Sequence, residues 1–218
     1  DKIGLTAISV HQGHQLFEEK GMEVVEYLKT IGVKFCAIPW HNINSWLENW
    51  DGTIKSFTEF SAALKTAGIQ LCYHNHDFEF TPLEGELVIH RVLRELSACM
   101  LPEPDLCWIS YGGEAPALFL KRYAGRVPVV HLKDYNLSAL PSRPMHQLLA
   151  EGFKKPEKRS QAGFSYTPVG YGVENWEENL AACRDSGAEY LVVEQDSSPD
   201  PMGDAARSRA YLKDRFGL

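Results

Sequence analysis

Histidines and charged residues recur in this sequence at one kind of place, the ends of short apolar runs. Ile69-Gln-Leu-Cys-Tyr-His-Asn-His-Asp-Phe-Glu-Phe80 opens as an apolar strand and closes on His74 and His76. Side chains two apart on a strand share a face, so these imidazoles point the same way and Asn75 the other. Paired imidazoles suit metal binding or proton transfer; the plain alternative is two solvated loop histidines. Val127-Pro-Val-Val-His-Leu-Lys-Asp134 puts Lys133 on the face of His131. A histidine flanked by apolar strand residues must satisfy both ring nitrogens, as a hydrogen-bonded core residue or as a ligand. Lys133 beside it can stabilise negative charge developing on a substrate oxygen, or is a surface lysine. In Tyr190-Leu-Val-Val-Glu-Gln-Asp196, Glu194 and Asp196 share a face. They could hold a cation, one of them acting as base, or form a solvated strand end. His11 and His41 close two earlier runs, and Asp105 opens another.

The elements that would position these groups alternate. β-type runs are expected near residues 4–10, 33–39, 69–75, 105–110, 127–132 and 190–196. Between them lie helical patterns. Residues 18–31 carry Met22, Val25, Leu28 and Ile31 at spacings of three, with Gly32 placed to end the helix. Phe57, Phe60, Ala63 and Leu64 form the stripe of the next, which Gly68 ends. Residues 86–96, 116–123, 176–184 and 205–216 also read as helices, and 42–52 as a polar loop with tryptophans. Strands alternating with helices imply a parallel sheet with right-handed crossovers, in one domain over 1–218. Chemistry at the carboxyl ends of such strands is where a parallel α/β barrel places its active site.

Residues 138–172 form a long polar stretch carrying Arg143, His146, Lys154, Lys155, Lys158 and Arg159. Its expected role is a basic lid that closes over the site and excludes water; the plain alternative is a solvated insertion with no role.

Composition narrows the partners. The 218 residues carry a formal charge of −7, without the basic footprint of a nucleic-acid binder. No apolar run approaches the roughly 20 residues of a membrane helix. The five cysteines form no CxxC pair and read as buried apolar residues. No signal peptide is visible, so the expected compartment is the cytoplasm, or the periplasm or exterior if a leader was removed before Asp1.

Five ordered motifs carry a resemblance. Tyr-His-Asn-His-Asp-Phe-Glu-Phe (73–80), Asp-Leu-Cys-Trp (105–108), Arg-Val-Pro-Val-Val-His-Leu-Lys-Asp (126–134), Val-Gly-Tyr-Gly-Val (169–173) and Val-Glu-Gln-Asp (193–196) resemble the sugar phosphate isomerase/epimerase family of xylose-isomerase-like TIM barrels. The resemblance implies an α/β fold of the TIM (β/α) barrel type, here six units with the first two of eight lacking. It implies one divalent metal, Mn, Zn, Mg or Fe, held by Asp105, His131 and Glu194. His74 stands where the family usually has a glutamate as first ligand. Glu194, Lys133 and His76 are then the expected catalytic groups, and His11, His76, Glu79, Trp108 and Lys133 the expected substrate contacts. Plain core packing is the alternative for Trp108.

The implied activity is isomerisation, epimerisation or dehydration of a sugar, keto-sugar or cyclitol by proton abstraction next to a carbonyl. The alternative is a non-catalytic carbohydrate-binding or scaffold protein on the same fold. A DNA-repair nuclease of this barrel type is disfavoured by the acidic charge. The expected partner is a small carbohydrate, with no nucleic acid and no membrane; a homo-oligomer stays open.

Overall fold

The structure, a computed structural model, describes residues 4–138 and 163–218. In chain order the elements are β1 Ser9–His11, α1 His14–Lys20, α2 Met22–Ile31, β2 Phe35–Ile38, α3 Ile43–Glu48, α4 Trp50–Thr66 and β3 Gln70–His74. A 3-10 turn, Asp77–Phe80, precedes β4 Pro82–Leu83, β5 Glu86–Leu87, α5 Val88–Glu95, β6 Met100–Glu103, α6 Leu106–Tyr111 and α7 Pro116–Arg122. Then come β7 Val129–Leu132, β8 Asp134–Leu137, β9 Phe164–Thr167, α8 Trp176–Ser186, β10 Tyr190–Val193 and α9 Pro201–Phe216. Among the described residues, no helix is long and apolar enough to cross a membrane.

The chain divides into two compact units, Asp1–Asn75 with Ile89–Glu103, and His76–Val88 with Pro104–Leu218. The first holds a parallel sheet in the order β1-β2-β3-β6. β2 is buried along its whole length, so it carries apolar side chains on both faces, as a strand between two layers must. Phe57, Phe60 and Leu64 of α4 and Val24, Val25 and Leu28 of α2 are buried, one stripe of each helix, and supply the apolar layer of this unit.

In the second unit β7 and β10 pair in parallel, and Asp105 bridges in parallel to His131. Two antiparallel pairs, β4 with β5 and β8 with β9, join them. Its apolar centre groups Cys107, Trp108, Tyr111, Tyr135 and Phe164. Cys36, Cys72, Cys107 and Cys183 are buried free thiols, in keeping with their apolar reading.

Three expectations are corrected. The apolar run 105–110 is not a strand. The strand is β6, and Leu106–Tyr111 is a helix buried on nearly every side, which periodicity cannot tell from a buried strand. Residues 18–31 are not one helix: α1 and α2 meet at Gly21, whose φ of 57° lies in the left-handed region. The stretch 42–52 is helical, with the Asn42 side chain accepting from the Asn44 amide and Trp46 fully buried. The β4/β5 and β8/β9 hairpins had no counterpart in the alternating pattern. The lid expected from Arg143, His146, Lys154, Lys155, Lys158 and Arg159 lies outside the described residues.

Candidate functional site

The second unit gathers three carboxylates around one lysine. Lys133 follows β7 directly and is 1% exposed. Its Nζ lies 2.9 Å from Asp105 Oδ2, 3.2 Å from Glu194 Oε2 and 3.0 Å from Asp196 Oδ1. His131 Nδ1 is 2.7 Å from Glu194 Oε2. Backbone structure sets these positions. The parallel pairing of β7 with β10 sets Leu132 opposite Val193, and the Glu194 amide donates to Leu132 O. Asp105 is held at both ends: His131 N donates to Pro104 O at 2.8 Å, and Asp105 Oδ1 caps α6 through Trp108 N at 3.1 Å.

Electrostatics follow from this packing. Burial alone would push the Lys133 ammonium toward its neutral form, but the Asp105, Glu194 and Asp196 carboxylates raise its pKa above the usual lysine value. Glu194 goes the other way. Burial pushes its carboxyl up, yet the His131 hydrogen bond and the Lys133 charge together bring it down to about 2. Three carboxylates against one ammonium leave two surplus negative charges while His131 is neutral. One ligand atom from each of Asp105, His131 and Glu194 lies within 4.8 Å of the others. Oxygen and imidazole donors with surplus negative charge fit a divalent cation.

Trp108 forms the apolar side of this cluster. Lys133 Nζ stands 5.1 Å from its ring centroid. Phe164 stacks on it at 5.5 Å, His76 at 5.6 Å, and Tyr166 meets it edge-on at 6.0 Å. Nothing of Trp108 is exposed. His76 and Glu79 close on each other in a capping box, the Glu79 carboxylate accepting from the His76 amide at 2.7 Å. Glu79 is fully buried in this turn.

Sequence reasoning passed over Asp134. Its carboxylate accepts from Tyr135 N, Gly170 N, Gly172 N, Glu174 N and Trp176 Nε1, at 2.8 to 3.3 Å. A Cβ on Gly172 would stand 2.0 Å from Asp134 Oδ1 and 2.4 Å from Tyr135 O, so only glycine lets this loop approach. The signal was present in the sequence, as the acid beside Lys133 and the Gly-Tyr-Gly it binds.

The first unit carries the remaining candidates. His11 Nε2 is 2.8 Å from Glu103 Oε1, and the His11 and His74 rings lie 4.7 Å apart. Ser9 Oγ donates to Glu103 Oε2 at 3.2 Å. Glu103 is fully buried and His74 is 2% exposed. Glu103 was also missed, because the strand it ends was placed too late; it stands directly opposite His74 in the β3/β6 register. His41 is not with them. It packs with His14, Trp46 and Phe57, ring centroids 4.8 to 5.3 Å away.

Comparison with known proteins gives the family. The family profile described as xylose isomerase-like TIM barrel matches residues 19–215. An inosose dehydratase of Klebsiella pneumoniae is 26% identical over 177 residues, covering 78% of this chain and 56% of that protein. The chain thus spans little more than half the length of the curated relatives it matches. A sugar phosphate isomerase/epimerase from Parabacteroides distasonis superposes with a TM-score of 0.76 at 19% identity, over 99% of this chain and 73% of the other. The structure of the IolI protein with a bound zinc atom does so at 0.62 and 14%, over 94% and 72%.

Proposed function

This chain belongs to the xylose isomerase-like TIM barrel family, and we propose that it is an isomerase, epimerase or dehydratase acting on a sugar, keto-sugar or cyclitol. The observation that carries the proposal is the buried Lys133 ammonium among Asp105, Glu194 and Asp196, with His131 bonded to Glu194. A divalent cation held by Asp105, His131 and Glu194 would polarise a substrate carbonyl and acidify the neighbouring carbon. The sequence motif offers His74 as a fourth ligand. Lys133, fixed by its carboxylates, would hold the oxygen on which negative charge gathers. Glu194, at about 2, is a weak base near neutral pH. His76, whose imidazole stacks on Trp108, is therefore the proton carrier in this reading.

The relatives called inosose dehydratase favour one outcome. The carbon next to the carbonyl would lose its proton to the base, the hydroxyl one carbon further would take up a proton and leave as water, and a double bond would form between the two carbons. The test is to supply the protein with Mn²⁺, Zn²⁺, Mg²⁺ or Fe²⁺ and offer inososes and keto-sugars. Dehydration is read as ultraviolet absorbance of the conjugated product, epimerisation and isomerisation as solvent deuterium entering the substrate. Turnover that falls at least about 100-fold in Asp105→Asn and Lys133→Met would support the reading. Metal-replete protein with no turnover and no solvent exchange on any of them would sink it. One observation favours the non-catalytic alternative: Lys133 already serves as a cation for the carboxylates. That alternative predicts carbohydrate binding by calorimetry without turnover.

A further inference from the structure

We propose that His11, His74 and Glu103, all residues of the first unit, form a cation site whose three ligands include none of Asp105, His131 and Glu194. The three residues end β1, β3 and β6. One ligand atom from each lies within 4.8 Å of the other two. Two imidazoles and one carboxylate are the donors of facial Fe²⁺ sites, and they also suit Zn²⁺, Mn²⁺ and Co²⁺ over Ca²⁺.

The surroundings are those of a built site. Glu103 is fully buried, so its charge acts through a medium less polarisable than water. Ser9 Oγ holds Glu103 Oε2 and so turns Oε1 toward His11, the kind of outer contact that orients a ligating carboxylate. The His11 side chain is 30% exposed and gives an ion a way in. His11 Nε2 and Glu103 Oε1 share one hydrogen at 2.8 Å. Two donors each about 2.0–2.2 Å from one cation stand roughly 3 Å apart, so a small outward shift admits the ion. One carboxylate against a divalent ion leaves one positive charge and open positions, suited to water or an anionic oxygen.

This inference goes beyond the proposed function and is separable from it. His74, which the sequence motif offered to the other set, here has two ligand partners within its own unit. The probe is Co²⁺ alone, read by equilibrium dialysis and by its visible d–d absorption. The background is Asp105→Asn/Glu194→Gln, with Glu194→Gln alone as a second background should the double variant fold poorly. Each background should keep one Co²⁺ with a d–d band. Adding Glu103→Gln or His11→Gln should weaken that binding at least about 100-fold, and Ser9→Ala about 10-fold. A background that binds no Co²⁺, or whose binding ignores Glu103→Gln and His11→Gln alike, overturns the site and leaves an ion pair only. Wild-type protein that binds one Co²⁺, kept in the background and lost with Glu103→Gln, would uphold this site and sink the other.

Discussion

Each unit buries a polar cluster, and the two clusters resolve the cost of burial in opposite ways. In the first, His14 and His41 sit edge to face in an aromatic shell at 4% and 5% exposure. Desolvation goes nearly unopposed there. It brings His41 down to about 4, with the charge of His14 a lesser contribution, and lowers His14 against a weak pull from Glu18. Both rings stay neutral. In the second, Lys133 is buried more completely and yet stays charged, because three carboxylates meet its ammonium. Burial sets the size of the penalty; the partner decides whether the group gives up its charge or keeps it.

The sharpest break of this comparison removes the lysine. Lys133→Met in metal-free protein leaves Asp105 buried without its cation. The expected loss is about 3–5 kcal/mol of unfolding free energy by urea titration. A loss under about 1 kcal/mol would mean that the carboxylates need no partner, and the contrast would fail.

Next in size is the pH response of the first unit. The folded pKa of His41 lies below its unfolded value of 6.5. The unfolded chain therefore binds more protons between pH 6.5 and about 4. Stability is full above 6.5 and is lost as pH falls through that window, by up to roughly 1.4 kcal/mol per pH unit for the one ring. Urea midpoints measured from pH 7 down to about 4.5 should fall more steeply in wild type than in His41→Phe. Parallel curves would show that the ring is already solvated.

The smallest effect sharpens the comparison within the charged cluster. Glu194 is 31% exposed at its side chain, so solvent screens part of its pairing. Its depressed carboxyl contributes stability above the unfolded value of 4.5, lost as pH falls toward about 2. Glu194→Gln should cost no more than about 1 kcal/mol at pH 7 and flatten that acid limb. A cost equal to that of Lys133→Met would place the two residues in the same degree of burial.

The frame was legible where period and punctuation agreed. Val129–Leu132 and Tyr190–Val193 lie inside the runs read as strands, and the parallel α/β family followed from their order. Legibility failed where burial is uniform. Leu-Cys-Trp-Ile-Ser offers no polar face, so it read as a strand although it is a helix. That error hid Glu103, because a proline on each side made the true strand look like a turn. Lys133 was legible as sharing the face of His131, and Glu194 as sharing that of Asp196. The burial of the lysine was not, since its partners lie 28 to 63 residues away in the chain.

The β8/β9 hairpin carries one more consequence. Ser138 N donates to Gly163 O at 2.9 Å, just beyond the last ladder pair, Leu137 with Phe164. Ser138 and Gly163 thus stand at adjacent positions in the second unit. The cost of closing a loop across such a base grows only with the logarithm of its length, about 0.6 kcal/mol per doubling. A change in the number of residues between Ser138 and Gly163 is therefore expected to cost little, with Lys133, five residues upstream of Ser138, keeping its place.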